Sequence, residues 1–186
     1  AQVIVTEIEP VKAIEARMDG FSVMKMEQAA PLGDIFVTAT GCAWTITVDH
    51  MLNMKDGAIL ANAGHFNVEI DMAGLEKACI AKKEMRENIM GYQLANGRWV
   101  NVIAEGRLAN IAAADGHPAE IMDMSFAVQA LSAMYIRDHY KTLKNDVIDV
   151  SDEIDDVVAR RKLEAWDIEI DTLTPEQVHY LNSWEI

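Results

Sequence analysis

Short β-branched strands alternate with helical segments over the first 78 residues, and this alternation most constrains how the chain folds. Val3-Ile4-Val5-Thr6 predicts a buried strand, and Pro10 suits the first turn of a helix that ends before Gly20. Further strands are predicted at 22–24, 34–37 and 57–62, with helices ending near Pro31 and covering 48–54 and 71–78. Strands and helices that alternate at this spacing form βαβ units, so we predict an α/β fold with a doubly wound parallel sheet.

An Asn-Gly pair marks a hairpin in the next stretch of the chain. Asn96-Gly97 lies between the strand-like runs Tyr92-Gln93-Leu94 and Trp99-Val100-Asn101-Val102. Both central positions of a tight hairpin turn need positive φ, which Asn and Gly tolerate. We therefore predict a hairpin near 92–102, followed by a loop at Glu105-Gly106-Arg107.

The residues after Pro118 predict helices. A long first helix is indicated by apolar residues at steps of three and four: Ile121, Met124, Val128, Leu131 and Tyr135. Ser151 is positioned to cap a second helix, and Thr174-Pro175-Glu176-Gln177 forms the capping box of a third. The acidic run between Asn145 and Asp171 is most simply a solvated face. We therefore divide the chain into a sheet-forming part, 1–117, and a helical part, 118–186.

Charge and composition exclude several classes of protein. Thirty acidic residues against 16 basic ones give a net charge of −14, so binding to nucleic acid or to an anionic membrane surface is not expected. No apolar run reaches the roughly 18 residues of a membrane span. Cys42 and Cys79 lack a paired spacing, which fits a reducing, cytoplasmic setting. Cys42, His65 and His117 do not have the spacing of metal ligands, so no metal site is predicted.

Glu7 directly follows the first predicted strand. An acid at this point of an open α/β sheet can accept hydrogen bonds from both hydroxyls of an adenosine ribose, and its charge disfavours a 2′-phosphate. It can equally cap the following helix at the surface. The glycine-rich fingerprint that precedes such an acid by about 20 positions does not occur before Glu7 in this sequence, so position alone favours the surface interpretation.

Two small-residue loops follow later strands, and a histidine lies at a sharp junction. Thr38-Ala39-Thr40-Gly41-Cys42 and Asn62-Ala63-Gly64-His65-Phe66 lie where parallel strands end, and their small residues let a backbone approach a ligand. Both are also compatible with ordinary βα turns, and His65 beside Phe66 with simple packing. His117, between Gly116 and Pro118, can gate a cleft or be purely structural.

Taken in order, these motifs resemble the adenosylhomocysteinase (S-adenosylhomocysteine hydrolase) family over nearly the whole chain. The matching stretches are Val5-Thr6-Glu7-Ile8-Glu9-Pro10, Asp34-Ile35-Phe36-Val37-Thr38-Ala39-Thr40-Gly41-Cys42, Asn62-Ala63-Gly64-His65-Phe66-Asn67-Val68-Glu69-Ile70-Asp71, Ala104-Glu105-Gly106-Arg107-Leu108-Ala109-Asn110 and Gly116-His117-Pro118. The number and order of these motifs favour functional roles for Glu7, His65 and His117.

The resemblance implies a Rossmann-like domain that binds NAD. Glu7 resembles the glutamate that binds the ribose, and Asn110 the asparagine beside the nicotinamide amide. His65 and His117 are implied to contact substrate, and Phe66 with His117 resembles a gate. The full set of implied cofactor contacts is Glu7, Thr38, Thr40, Gly41, Cys42, Ala63, Gly64, His65 and Asn110.

The resemblance also implies an activity and an assembly. Members of the family hydrolyse S-adenosylhomocysteine reversibly to adenosine and homocysteine and work as tetramers. NAD oxidises the 3′-hydroxyl of the substrate ribose, which acidifies the C4′ proton, so that homocysteine is eliminated and water adds before the hydride returns. Residues 118–186 would then supply a hinge helix and an oligomerisation tail.

The sequence departs from the family pattern at three points. The family's proton-transfer residues and glycine-rich loop lie upstream of Ala1, so no catalytic residue is assigned in this chain. Lys12 stands where many members have an asparagine that contacts NAD. The ending Ser183-Trp184-Glu185-Ile186 resembles the short archaeal-type members, which lack a longer tail that reaches a neighbour's cofactor site.

The first departure has a structural consequence. The first strand is central in this fold, so a chain that begins at the second strand leaves two inner edges unpaired. We therefore expect either a piece of a longer protein or a chain that needs another segment to fill the gap, and an isolated monomer that is unstable or aggregates. Three alternatives stay open: a non-catalytic NAD-binding or interaction module, a related S-inosylhomocysteine hydrolase, for which Asp115 lies close to the purine-contacting position, and a hydroxyacid dehydrogenase, which the Gly-His-Pro junction disfavours.

Overall fold

The computed structural model describes residues 1–183 and divides into two compact units, Ala1–Gly116 and His117–Ile186. Each unit is built from elements that are close to those predicted from the sequence. Trp184, Glu185 and Ile186, which carry most of the resemblance to short archaeal-type endings, lie outside the described residues.

The first unit begins with alternating strands and helices. Pro10 occupies the first turn of helix α1, where its missing N–H costs nothing, and Asp71 caps helix α4 by accepting a bond from the Gly74 N–H (2.8 Å). The elements in chain order are β1 (Ile4–Val5), α1 (Pro10–Met18), β2 (Ser22–Val23), α2 (Met26–Ala29), β3 (Ile35–Thr38), α3 (Val48–Asn53), β4 (Ala58–Asn62) and α4 (Met72–Ala78).

A meander of three strands and a short helix complete this unit: β5 (Cys79–Arg86), β6 (Ile89–Leu94), β7 (Trp99–Ile103) and α5 (Ala109–Ala112). The hairpin predicted near 92–102 is present as β6 and β7. Its turn has positive φ at Gly97 (83°) but not at Asn96, so the prediction of positive φ at both positions is wrong. Strand β5 and helix α5 were not predicted. The loop predicted at 105–107 is instead a left-handed turn over Ala104–Gly106.

The strands form two separate sheets. β1 and β2 pair in parallel, and the second sheet has the order β3-β4-β7-β6-β5, in which β3, β4 and β7 are parallel. The predicted α/β fold with a parallel sheet is therefore confirmed. Within residues 1–183, β1 and β3 each have one neighbour, so both are edge strands, as expected of a doubly wound sheet without its first strand.

The core of the first unit lies on one face of the larger sheet. Leu60 and Val102 from the strands and Leu75 from α4 are fully buried together with Met51 and Met54 around the end of α3. The opposite face of β3 is open, because Phe36 and Thr38 are buried whereas the intervening Ile35 and Val37 are exposed. This exposed apolar pair marks a face that the described chain does not cover.

The second unit consists of α6 (Ala119–His139), α7 (Asp152–Ala165) and α8 (Pro175–Asn182). Met124 and Leu131 of the predicted stripe line a groove between α6 and α7, whereas Ile121 is exposed. The predicted capping box is confirmed, since the N–H of Gln177 donates to the Thr174 hydroxyl and the Thr174 N–H to the Gln177 side chain.

The prediction that the Ser151 side chain caps α7 is wrong, although Ser151 does precede the helix. Ser151 occupies the N-cap position of α7 with extended backbone angles, but its side chain makes no capping hydrogen bond. Three acidic residues in the first turn of α7 complement its positive end instead: Asp152, Glu153 and Asp155. No helix of residues 1–183 is both long enough and apolar enough to cross a membrane.

Candidate functional site

Three loops follow the parallel strands β3, β4 and β7, at the edge of the sheet where α/β proteins bind nucleotides. The N–H of Ala63 donates to the carbonyl of Thr38 (2.8 Å), which joins the loops after β3 and β4. A parallel bridge between Asn62 and Leu108 brings the segment after β7 alongside the end of β4. The chain therefore gathers the three strand ends at one place.

Asn62 is a buried hydrogen-bonding centre for these loops. It ends β4 and has 0% of its surface exposed. Its Oδ1 lies within hydrogen-bond distance of the Gly64 N–H (2.9 Å) and the Thr38 hydroxyl (3.3 Å). Its Nδ2 lies within hydrogen-bond distance of three carbonyls, those of His65 (2.6 Å), Phe66 (2.9 Å) and Gly106 (2.9 Å). One amide side chain thus touches all three strand-end segments.

Glu69 is a second buried centre, and it joins the loops after β3 and β4. Its side chain is fully buried, and each carboxylate oxygen accepts two bonds. Oε1 accepts from the N–H groups of Gly41 (2.7 Å) and His65 (2.7 Å). Oε2 accepts from the N–H and the hydroxyl of Thr40, both at 3.0 Å. His65 is consequently held at both backbone groups, by Glu69 at its N–H and by Asn62 at its carbonyl.

The environment of Glu69 keeps it ionised. Burial raises the pKa of its carboxyl, but the bonds from Thr40, Gly41 and His65 outweigh that effect, so the pKa lies below its ordinary value of 4.5. Because the pKa is lower in the folded chain than in the unfolded chain, the carboxylate stabilises the fold above pH 4.5. That contribution is lost as the pH falls through the folded-state pKa.

Gly64 allows the loops after β3 and β4 to approach each other. A Cβ atom at this position would lie 2.9 Å from the Cα of Ala39 and would also collide with the carboxylate of Glu69. Ala39 is backbone at the point of contact, so it cannot rotate away. The glycine is therefore required by close packing of the two loops.

The turn after β7 has an uncommon backbone. Ala104, Glu105 and Gly106 follow one another with φ of 52°, 55° and 78°, the left-handed region that costs a non-glycine residue roughly 1–2 kcal/mol. The Ala104 carbonyl accepts bonds from the N–H (3.1 Å) and the Nε (3.0 Å) of Arg107, and the Gly106 carbonyl faces Asn62. Strained turns of this kind concentrate at functional sites, where surrounding contacts hold them.

Asn110 carries an unused acceptor beside the same strand ends. It lies in α5, two residues beyond the bridge between Leu108 and Asn62. Its Oδ1 is buried and has no hydrogen-bond partner within residues 1–183. A buried acceptor of this kind is costly unless a ligand or water satisfies it. Its position therefore fits a contact to a polar group of a bound nucleotide.

Glu7 follows β1 and is exposed. Its Oε1 accepts bonds from the N–H groups of Ile8 (2.7 Å) and Glu9 (3.1 Å). The N–H groups of Glu9 and Ile8, with Lys12 nearby, hold the pKa of Glu7 below its ordinary value. Oε2 makes no hydrogen bond within the described chain, which leaves one charged acceptor available to a ligand.

The predicted site residues fall into two groups. Thr38, Thr40, Gly41, Gly64 and His65 are brought together through Asn62 and Glu69. Near them, the N–H of Cys42 donates to the Thr40 hydroxyl (3.1 Å), and its exposed thiol is free. Glu7 bonds within its own turn, and His117 is exposed at the start of the second unit. Across residues 1–183, no group of three His, Cys, Asp or Glu side chains is arranged to hold a metal ion.

Sequence reasoning missed the two residues on which these loops depend. Asn62 lies in phase with the buried residues Ala58 and Leu60 of its strand, so the alternation of β4 already placed a polar residue on the buried face. Glu69 had no such signal, because it lies in a short irregular segment and is buried by contacts with residues 28 and 29 positions earlier in the sequence.

A parallel sheet whose strand ends carry small-residue loops held by buried polar side chains defines a nucleotide-binding α/β domain. A family model described as "S-adenosyl-L-homocysteine hydrolase, NAD binding domain" matches residues 1–116. The chain belongs to this family, and residues 1–116 are its NAD-binding domain.

Curated relatives extend the similarity to the whole chain. The protein named adenosylhomocysteinase from Aquifex aeolicus is 58% identical over 186 residues, which are 100% of this chain and 44% of the relative. The adenosylhomocysteinase from Archaeoglobus fulgidus is 55% identical over 184 residues, 99% of this chain and 45% of the relative. That from Thermotoga maritima is 50% identical over 185 residues, 100% of this chain and 46% of the relative. The chain thus spans less than half the length of these relatives.

Proposed function

We propose that this chain is the cofactor-binding part of an adenosylhomocysteinase, which hydrolyses S-adenosylhomocysteine reversibly to adenosine and homocysteine. The observation that carries the proposal is the match of the NAD-binding domain to residues 1–116, the same residues that gather three loops at the strand ends. The names of the curated relatives support the reaction.

In this proposal, NAD contacts come from the three loops and from β1. The free Oε2 of Glu7 accepts a hydrogen bond from a ribose hydroxyl, and the buried Oδ1 of Asn110 accepts one from the carboxamide of the nicotinamide. The remaining cofactor contacts are proposed at Thr38, Thr40, Gly41, Cys42, Ala63, Gly64 and His65. Within the described chain, neither the Oε2 of Glu7 nor the Oδ1 of Asn110 has a hydrogen-bond partner, which supports these two assignments.

In the proposed reaction, NAD supplies the redox chemistry and the residues of this chain supply binding and orientation. When bound, NAD supplies the oxidation of the substrate's 3′-hydroxyl and returns the hydride at the end of each turnover. The chain's own residues bind and orient the nucleotide, and the His65 and His117 side chains contact the substrate. The His65 ring lies edge-on to Phe66, with ring centroids 4.3 Å apart, which supports a defined position for the imidazole.

We further propose roles for the second unit and a cellular setting. Residues 118–186 act as a hinge helix and an oligomerisation tail in a homotetramer of the cytoplasmic enzyme. Extensive exposed apolar surface on this unit supports a subunit contact, with Val147 at 94% and Leu181 at 67% exposure.

The test uses a chimera in which these 186 residues replace the matching segment of the Aquifex aeolicus relative. We expect the chimera to bind NAD and hydrolyse S-adenosylhomocysteine. Glu7→Ala is expected to weaken NAD binding, because the ribose loses a hydrogen bond to a charged acceptor. Binding is measured by isothermal titration after the resident nucleotide has been removed.

Glu27→Ala is the matched control, because Glu27 is an exposed acid of α2 that forms no ion pair within residues 1–183. It is expected to leave NAD affinity unchanged. Equal affinities of wild type and Glu7→Ala would refute the role of Glu7. A chimera that binds NAD but leaves S-adenosylhomocysteine intact would favour the non-catalytic module.

A further inference from the structure

The carboxylate of Glu69 is costly to bury, and it accepts hydrogen bonds from a specific set of donors. It is fully buried, and no Lys, Arg or His within residues 1–183 forms an ion pair with it. A buried charge without a cationic partner is expensive, and apolar residues of similar volume usually serve stability as well or better. The four donated bonds offset this cost, but they do not explain why a charge is used here.

The donors show what the charge accomplishes. Thr40 and Gly41 belong to the loop after β3, and His65 belongs to the loop after β4. These loops follow adjacent parallel strands and touch at Gly64 and Ala39. A single carboxylate therefore fixes the separation of two loops through three backbone N–H groups, whose directions set where the loops lie.

Only a carboxylate satisfies these four donors. Each oxygen accepts two bonds, and an ionised carboxylate has acceptors at both positions. A glutamine of the same size would turn its NH₂ group toward the N–H of Thr40 or toward those of Gly41 and His65. Two donors would then face each other in a buried site, and one loop would move away.

We propose that Glu69 is a positioning residue of the NAD site, holding the loops after β3 and β4 in their binding arrangement before the nucleotide arrives. This inference rests on the proposed function, because it assigns the two loops to the cofactor. Glu69 touches neither the nucleotide nor the substrate and acts through the backbone of Thr40, Gly41 and His65. A preformed arrangement of this kind improves affinity by lowering the ordering cost at binding.

The experiment compares Glu69→Gln with Leu75→Ala in the chimera. Leu75 is a fully buried core residue of α4 that lies outside the Glu69 hydrogen bonds, so its truncation destabilises the domain without releasing the loops. We expect Glu69→Gln to raise the dissociation constant for NAD at least tenfold. Leu75→Ala is expected to lower the melting temperature while leaving that constant within twofold of wild type.

A double-mutant cycle separates positioning from general stability. His65→Ala is introduced into the wild-type, Glu69→Gln and Leu75→Ala backgrounds. We expect it to weaken NAD binding in the wild-type and Leu75→Ala backgrounds and to have at most half that effect, in logarithmic units, in the Glu69→Gln background. Non-additivity is expected because a released His65 has already lost its contact. If Glu69→Gln does not fold, Glu69→Asp keeps the charge but shortens the side chain by one CH₂, so it cannot reach the donors of both loops at once and is expected to weaken NAD binding in the same direction.

The outcomes distinguish this inference from the function on which it rests. Failure of the wild-type chimera to bind NAD overturns the proposed function and the role of Glu69 with it. Normal NAD binding by wild type and an unchanged dissociation constant in Glu69→Gln overturn the role of Glu69 alone. An equal loss of affinity in Glu69→Gln and Leu75→Ala, or a fully additive cycle, assigns Glu69 a structural role and also overturns the proposal.

Discussion

At the scale of single residues, Gly64 tests whether the close approach of the two loops matters for binding. We expect Gly64→Ala to weaken NAD binding in the chimera, because the new Cβ would lie 2.9 Å from the backbone of Ala39 and displace the Glu69 carboxylate. The same crowding is expected to destabilise the domain by about 1–3 kcal/mol. Titration calorimetry and thermal melts measure the two effects.

Gly57→Ala is the control for this substitution. Gly57 has a φ of 82° and nothing within 4 Å of an added Cβ, so alanine there brings backbone strain without crowding. A loss of about 1–2 kcal/mol in stability is expected, with NAD affinity unchanged. If both variants bind NAD as wild type does, the loops do not need this close approach.

The residues of these loops show how much of the site could be predicted from the sequence. Loops at strand ends are a local feature of the sequence, so Thr38, Thr40, Gly41, Gly64 and His65 could be named as candidates, and the family resemblance then implied their cofactor contacts. The structure joins these residues. Their roles toward NAD stay predictions. Glu69 was not found, because its burial depends on the pairing of Ile46 with Ile70, which no local pattern encodes.

At the scale of the elements, β3 is an edge strand whose free side can be identified residue by residue. The carbonyl of Asp34 accepts a bond from Ile59 of β4 (3.0 Å), and that of Thr38 accepts one from Ala63, directly after β4 (2.8 Å). Parallel pairing alternates sides along a strand, so the backbone groups of Ile35 and Val37 point to the open edge. Their side chains are also exposed, at 65% and 64%.

Hydrogen exchange tests this assignment. We expect the amides of Ile35 and Val37 to exchange rapidly in the 186-residue chain and to become protected in the chimera, where a strand is expected beside β3. The amides of Phe36 and Thr38 face β4 and act as internal controls. Once the different global stabilities of the two proteins are taken into account, their protection against exchange is expected to be similar in both. Strong protection of Ile35 and Val37 in the monomeric 186-residue chain would contradict an open edge.

The elements that were predicted and those that were not differ in their physical signal. Helix α1 was predicted with its observed bounds, because proline and glycine mark its two ends. Strand β5 was missed because its residues are mostly exposed and several are charged, as suits an edge strand, so neither apolar alternation nor a buried run is present. Its pairing with β6 is what makes it a strand.

At the scale of the whole molecule, the 186-residue chain leaves apolar surface that a stable domain would cover. Helix α1 has no buried residue, although Val11, Ile14 and Met18 lie along it at helical spacing and are 64%, 58% and 81% exposed. The sheet beside it has two strands of two residues each, and two-stranded sheets are marginal in water. These features predict that the chain by itself does not fold cooperatively.

We therefore expect the isolated chain to show a broad melt and to aggregate at micromolar concentration, whereas the chimera melts sharply. Circular dichroism and light scattering on dilute samples measure the difference.

Val37→Thr provides a second comparison, because it is expected to improve the behaviour of the isolated chain and to destabilise the chimera. In the isolated chain it removes exposed apolar surface and should reduce aggregation. In the chimera it places a hydroxyl where Val37 becomes buried, at a cost of about 1–3 kcal/mol. A sharp two-state melt of the monomeric wild-type chain would show that the exposed face of β3 needs no further segment. An unchanged stability of the chimera with Val37→Thr would show the same.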